Sequence, residues 1–250
     1  MEYPKLWLYH GYLARYVPYG QVRMVYQHRF GGQHQIAGAE CPLCGLPLIR
    51  YLELDTSDPR LNLQGVGVKR LPLLFCPRCP VATETELSYQ LLGDNQIRVV
   101  QYTPKEAVSN YTYPATDYPD FYPERWANLL PMPEVLQLLF RLYNRGYIDG
   151  EIREVAPEWD CELYPQHQVG GEPMVVIRFS GYQDGWRILC PLCGEEMPFL
   201  ACVGNDYVDT QPVEDGSWTE GGFHQGIKFA ELLFHLCGQC RVVSAYYEGD

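Results

Sequence analysis

Four Cys-x-x-Cys pairs punctuate the chain, two in each half: Cys41/Cys44 and Cys76/Cys79, then Cys190/Cys193 and Cys237/Cys240. Each such turn supplies two thiolates to one ion, so two turns must meet wherever an ion is held in a four-sulfur cage. Three of the pairs lie in Cys-Pro-x-Cys or Cys-x-x-Cys-Gly frames, at 41–45, 76–79 and 190–194. There the Pro and Gly let the backbone wrap a metal and aim N–H groups at sulfur. Between Cys44 and Cys76 lie 31 residues, between Cys193 and Cys237 lie 43, and between Cys79 and Cys190 lie 110. Loop closure favours the shorter circuits, so each half is expected to close its own site. Both gaps exceed the roughly 15–20 residues of the commonest four-cysteine template, which makes each site the clip of a module several strands long. The expectation is two structural zinc ions. Disulfides, a redox dithiol and sites that have lost their metal are the alternatives, but a redox dithiol needs one pair, not four.

The compartment bears on that choice. Residues 1–16 mix charged and aromatic side chains without the apolar core of a signal peptide, and no 18-residue apolar run occurs. A cytoplasmic chain outside the membrane is expected, and in that reducing setting clustered cysteines are metal ligands more often than disulfides. Cys161 and Cys202 are left over; Cys202 falls in the apolar run 198–203 and reads as a small buried thiol.

Charge narrows the partner. Asp and Glu number 31 against 19 Lys and Arg, a formal net charge of −12. Filling two four-thiolate sites with divalent zinc would carry that to about −16. A phosphate backbone needs a clustered positive face, and these cations are scattered, so nucleic acid is excluded as the expected partner. A basic protein client fits the balance; acidity that serves solubility alone is the plainer alternative. The 20 Tyr suit pleated sheets and interfaces alike.

The two halves look alike. Gln33, His34 and Gln35 followed by Ile36 and Gly38 recur as Gln166, His167 and Gln168 followed by Val169 and Gly171, each ahead of a Cys-Pro-Leu-Cys-Gly turn. Apolar, acid-ended segments follow at 46–55 and 195–206, then apolar strands at 71–75 and 232–236 leading into the next Cys-x-x-Cys. β-branched or aromatic runs predict strands over 22–30, 71–76, 97–103, 175–180, 232–237 and 242–247, with a hairpin of 87–92 and 97–101 across Gly93, Asp94 and Asn95. The Pro- and Tyr-rich stretch 102–123 reads as a linker. One helix follows, opened by Pro133 and Glu134, closed near Arg145 and Gly146, with Val135, Leu138, Leu139 and Leu142 as its apolar stripe. The expected fold is mainly β (α+β): two tandem antiparallel zinc-ribbon-like modules, 1–103 and 151–250, joined by a linker and helix over 104–150.

His167, Val169, Gly170, Gly171, Glu172 and Pro173, the turn and small-apolar strand at 190–200, and the strand, Cys-x-x-Cys and strand at 229–246 together resemble a known superfamily. It joins bacterial YwqG-like proteins to the eukaryotic programmed-cell-death-protein-2-like chaperones of a small-subunit ribosomal protein. The similar stretches cover about a third of the chain. In the first half Gly31 and Gly32 precede Gln33 rather than follow His34, and no Cys/His cluster interrupts the region directly after Cys79. The resemblance implies a duplicated, mostly antiparallel fold whose halves pack together, with a groove or shared face that holds a peptide or basic protein.

Four thiolates saturate a tetrahedral ion and leave no position for water, so the cysteine sites are expected to support folding. No His-Glu-x-x-His, Gly-x-Ser-x-Gly or phosphate loop is present. His34 and His167 are the remaining candidates for chemistry, although a repeated histidine better suits a structural tie. His235, two residues before Cys237, can bond a thiolate or stand in for a ligand, and Asp206/Asp209 and Glu195/Glu196 read as loop residues. The chain is thus read as a non-enzymatic, zinc-stabilised binding scaffold. The alternative is an enzyme with His34, His167 and carboxylates in a cleft between the modules, and a third reading is a purely structural subunit of a larger assembly, marked by a sizeable apolar patch.

Overall fold

The computed structural model describes residues 5–17, 25–79, 86–103, 120–144, 167–173, 187–204 and 230–249. Its strands are β1 (Tyr12–Tyr16), β2 (His28–Phe30), β3 (Ile49–Asp55), β4 (Arg70–Phe75), β5 (Glu86–Gly93), β6 (Gln96–Thr103), β7 (Arg125–Pro131), β8 (Gln168–Val169), β9 (Phe199–Gly204), β10 (Ala230–Cys237) and β11 (Val242–Gly249), with one helix, α1 (Glu134–Asn144). All eleven strands join one antiparallel sheet in the order β4-β3-β2-β7-β1-β8-β9-β10-β11-β5-β6. β3 and β9 are buried along their whole length, which is why neither shows the alternation of a half-exposed strand. The expected hairpin is β5–β6, turning at Asp94 and Asn95, and the expected strands near 71–76, 97–103, 232–237 and 242–247 are β4, β6, β10 and β11.

The duplication extends to individual backbone bonds. In the first half Cys41 N–H donates to Leu46 O (2.8 Å), Gly45 N–H to Cys41 O (2.9 Å) and Leu48 N–H to Ala39 O (2.9 Å). In the second, Cys190 donates to Glu195 O (2.8 Å), Gly194 to Cys190 O (2.8 Å) and Met197 to Ile188 O (2.7 Å), the same bonds displaced by 149 positions. The histidine elements need correcting. His34 follows β2, whereas His167 immediately precedes β8, so the Gln-His-Gln match is not structural. The true counterpart of His167 is His28: each begins a His-x-x-Gly-Gly run. Gly31 donates to Tyr51 O (3.2 Å) and Gly170 to Leu200 O (2.7 Å), again matching partners. All four of these glycines hold positive φ, and a Cβ on Gly31 would lie 2.4 Å from Pro123 O. The chain has no choice there but Gly.

The halves interleave. β1 precedes β2 in sequence yet pairs with β8, through Leu13↔Gln168 and Tyr12↔Val169. β7 lies in the stretch expected to connect the modules, yet it pairs with β2 through Phe30↔Arg125 and His28↔Ala127. The two strands then pair with each other, with Arg15 opposite Asn128, so the run β4-β3-β2-β7 mirrors β10-β9-β8-β1 about that pair. Symmetry ends beyond it: β11 pairs with β10, but β5 pairs with β11 and not with β4. The outer edge of β4 is bonded instead by a side chain. Tyr89, fully buried on β5, donates its hydroxyl to Pro72 O (2.7 Å) and accepts from Leu74 N–H (2.9 Å), which curls the sheet toward itself.

Three further expectations are settled or bounded here. Pro133 does open α1, its carbonyl accepting from Gln137 N–H (3.1 Å). The buried face of the helix is Leu136, Leu139 and Phe140, while Leu138 is 41% exposed, so the apolar stripe is rotated from the one expected. Leu136 and Phe140 cluster with Leu13 of β1 and with Met132. The expected linker at 102–123 begins in β6 and ends with Tyr122 buried against Tyr51, ring centres 5.3 Å apart; its middle, 104–119, lies outside the described residues, as do 22–24, 145–166 and the strand expected at 175–180.

Candidate metal centres

Each half brings its four cysteines to one point. Cys41, Cys44, Cys76 and Cys79 form one quartet and Cys190, Cys193, Cys237 and Cys240 the other, all sulfurs of a quartet lying within 4.8 Å of one another. In the first, the gaps are 3.4 Å for Cys41–Cys79 and 3.7 Å for both Cys44–Cys76 and Cys76–Cys79; in the second, Cys193–Cys237 is 3.8 Å. A disulfide closes to about 2.05 Å, so these are free thiols. A tetrahedral ion with metal–sulfur bonds of about 2.3 Å holds its sulfurs about 3.8 Å apart, close to the four gaps just given. Both quartets therefore have a geometry that could hold a metal ion.

The local fold produces that geometry from two strand ends. Cys76 follows β4 directly and Cys237 closes β10, while the Cys-Pro-Leu-Cys-Gly turns at 41–45 and 190–194 lead into β3 and β9. Pairing of β3 with β4, and of β9 with β10, sets each turn opposite its partner. Backbone N–H groups then point at sulfur. Cys240 donates to Cys237 Sγ at 3.4 Å, Leu43 and Cys44 donate to Cys41, and Glu195 donates to Cys193. Gly45 and Gly194, with φ of +70° and +75°, supply the left-handed step that turns the chain out of the site.

Four thiols packed this closely do not titrate alike. The hydrogen bond it accepts from Cys76, helped by the backbone donors, draws Cys41 down to about 4, and the same bond drives Cys76 up. Burial pushes Cys79 up to about 12; its hydrogen bond to Cys193 carries Cys240 up to about 12. In each quartet one thiol is drawn down, Cys41 and Cys193, while Cys76 and Cys79, and Cys237 and Cys240, are held up. A divalent cation removes that conflict. The surroundings of the two quartets differ. Cys41, Cys76 and Cys79 belong to the main core, with Val99 and Tyr102 of β6 packed on it, whereas Cys190 and Cys237 form a smaller cluster with Met197 and Val242, joined by Val100 of β6.

Among the described residues, no histidine joins a group of side chains that could hold a metal ion. His34 donates Nε2–H to Leu48 O (2.7 Å) and takes Ile36 N–H at Nδ1 (3.4 Å), so it ties its segment to the first metal turn; burial holds it below its ordinary pKa and neutral. His167 is 4% exposed and packs against Phe30 and Tyr16, ring centres 5.0 and 5.9 Å away. A cavity of about 930 Å³ between the β2–β3–β4 face and the first metal turn is lined by His34 with Arg29, Arg50, Glu53 and Phe121, but not by His167. His235 is buried against Phe199, its Nδ1–H donating to Met197 O (3.2 Å), and stands outside the sulfur quartet. Cys202 is buried with Phe199, Leu233 and Tyr246, while Cys161, Asp206 and Asp209 lie outside the described residues.

Sequence reasoning passed over the floor of that cavity. Arg50, 2% exposed, donates to Gly31 O (2.6 Å) and Glu53 (2.8 Å); Arg29 donates to the same Glu53 (2.8 Å) and to Glu124 (2.9 Å). It also passed over His28, which takes Asp55 N–H at Nδ1 (3.1 Å) and donates Nε2–H to the buried Asp58 (3.0 Å). The recurrence of His-x-x-Gly-Gly was the available signal for His28. No pattern in the sequence joins Arg50 to Glu124, 74 positions away.

A duplicated, mainly antiparallel β-protein with one cysteine quartet in each half that could hold a metal ion is the class that this fold and these sites define. Comparison of the chain with protein-family models, with curated proteins and with solved structures finds no match.

Proposed function

We propose that the protein is a zinc-stabilised scaffold of two zinc-ribbon-like modules that binds a basic protein client in the cytoplasm in the manner of a chaperone. On this reading it belongs with the YwqG-like and programmed-cell-death-protein-2-like proteins that its second half resembles. The observation that carries the reading is the closed quartet: four sulfurs all within 4.8 Å of one another offer a full tetrahedral shell, the donor set that suits zinc, and leave no position for substrate or water. Metal in such a site secures the fold, so activity is sought in binding. The net charge of −12 favours a cationic partner. No helix among the described residues is long and apolar enough to cross a membrane.

The test is purification of the tagged full-length chain from its own cells, with and without chelator, followed by metal analysis and identification of bound proteins. The expected result is about two zinc ions per chain and a stoichiometric partner of net positive charge, both lost on chelation. A folded chain without metal, or zinc-loaded protein that carries no stoichiometric partner, would overturn the reading.

A further inference from the structure

The duplicated halves form an internal comparison, and it separates what the metal needs from what it does not. Across residues 39–55 set against 188–204, the only identities are the five residues of the turns, Cys-Pro-Leu-Cys-Gly at 41–45 and 190–194. The cysteines are the ligands, the glycines hold positive φ, and the prolines shape the turn. Leu43 and Leu192 serve none of these purposes. They stand at the tips of the turns, 53% and 46% exposed, where any polar residue would be better solvated. The second Cys-x-x-Cys of each half has no such constancy, being Pro77-Arg78 in one and Gly238-Gln239 in the other.

Each tip also carries a second exposed leucine and a glutamate, with their places exchanged. In the first half these are Leu46, 42% exposed, and Glu40; in the second, position 40 is matched by Leu189, 53% exposed, and position 46 by Glu195. Glu40 and Glu195 are both exposed. A single exposed leucine needs no explanation, but the same set of two leucines and one carboxylate at corresponding tips does. The turn holds the set rigidly once its ion is bound, so little ordering is lost when a partner docks.

We infer that the two metal-turn tips are the contact points for the client, each taking an apolar side chain of the partner flanked by a lysine or arginine. The inference rests on the binding-scaffold reading and names where that scaffold touches its partner. The cationic flank follows from Glu40 and Glu195 within a chain of net charge −12. The occupant is thus an amphipathic basic segment rather than an acidic or purely polar one.

The experiment uses the full-length metal-loaded protein and three fluorescent peptides of equal length: lysine with leucine, lysine with serine, and glutamate with leucine. The lysine–leucine peptide should bind most tightly, with an affinity that falls as salt rises. Leu43→Ser combined with Leu192→Ser should weaken it at least about ten-fold, since even partial burial of each leucine is worth several-fold, while metal content and thermal midpoint stay as they were. Glu40→Gln with Glu195→Gln should flatten the salt dependence. Equal binding by wild type and the double leucine variant overturns the inference, as does tighter binding of the glutamate–leucine peptide. If both forms capture the same client from cells, the scaffold reading stands and the tips fall. If neither captures a client while the peptide discriminates between them, the tips stand and the client reading falls.

Discussion

Gly45 and Gly31 both sit at positive φ, yet they answer to different constraints and predict different outcomes. At Gly45 and at its counterpart Gly194 an added Cβ meets nothing within 4 Å, so the whole cost of a side chain is the left-handed backbone. Gly45→Ala and Gly194→Ala should each lower stability by about 1–2 kcal/mol, by similar amounts, with both metals retained. At Gly31 the Cβ would lie 2.4 Å from Pro123 O, and at Gly170 it would lie 2.6 Å from Leu8 Cβ, both against atoms that packing holds in place. Gly31→Ala and Gly170→Ala should abolish recovery of folded, metal-loaded protein. Urea midpoints and metal content separate the two pairs, and similar losses at all four positions would contradict the argument. The same contrast explains what the sequence disclosed at this scale. Cysteine quartets are legible because two-residue spacing and ligand chemistry leave few alternatives. The histidine equivalence was not, because Gln33–Gln35 imitates Gln166–Gln168 by identity while the obligatory pair is the Gly-Gly step after His28 and His167.

At the scale of elements, the consequential join is the one that is not a ladder. β10 finds β11, but β4 ends the sheet, and an open edge strand is a liability that proteins cover. Here Tyr89 covers it, supplying the donor and the acceptor that a twelfth strand would bring to Pro72 O and Leu74 N–H. Tyr89→Phe keeps the ring and removes both bonds, leaving two buried backbone groups unpaired. The expected loss is about 2–4 kcal/mol, with the Leu74 amide exchanging faster while amides of β9 and β10 keep their protection. An unchanged urea midpoint and an unchanged Leu74 rate would show that water takes over the hydroxyl's role. No sequence pattern announces such a bond, since it links residues 15 positions apart on strands that are not paired. The strands that were legible, β4, β6, β10 and β11, carry β-branched or aromatic runs beside clear turns. β1 and β7 were not, because Tyr-Leu-Ala-Arg-Tyr and Arg-Trp-Ala-Asn-Leu-Leu-Pro have weak strand preference and are held by long-range pairing. The rotated face of α1 has a similar cause: Leu13 and Met132 decide which side is covered, leaving Leu138 outside.

For the molecule as a whole, the interleaving of β1 and β7 decides how the protein unfolds. Were the halves separate domains, each with its own metal, two transitions would be expected, and loss of one site would melt one half. The pairing forbids that separation. Removing the second half strips β8 from β1, and β1 is also the partner of β7, which in turn borders β2 of the first half. At the other end, β11 of the second half bonds β5 of the first across a buried Ser88–Ser244 hydroxyl contact of 2.6 Å. The β5–β6 hairpin packs Val99 and Tyr102 on the core that holds the first quartet and Val100 on the cluster that holds the second. Each half is therefore tied to the other at both ends of the run that the symmetry relates. The metal-loaded protein should melt in one calorimetric transition, with calorimetric and van't Hoff enthalpies equal within error. Cys190→Ser with Cys193→Ser should bind one metal fewer and still melt in one transition at a lower temperature, detected alike by far-ultraviolet circular dichroism and by tryptophan fluorescence. A surviving transition at the wild-type temperature, with about half of the wild-type enthalpy, would mean that the first half stands without the second, and that the shared sheet carries less of the stability than its strand order implies.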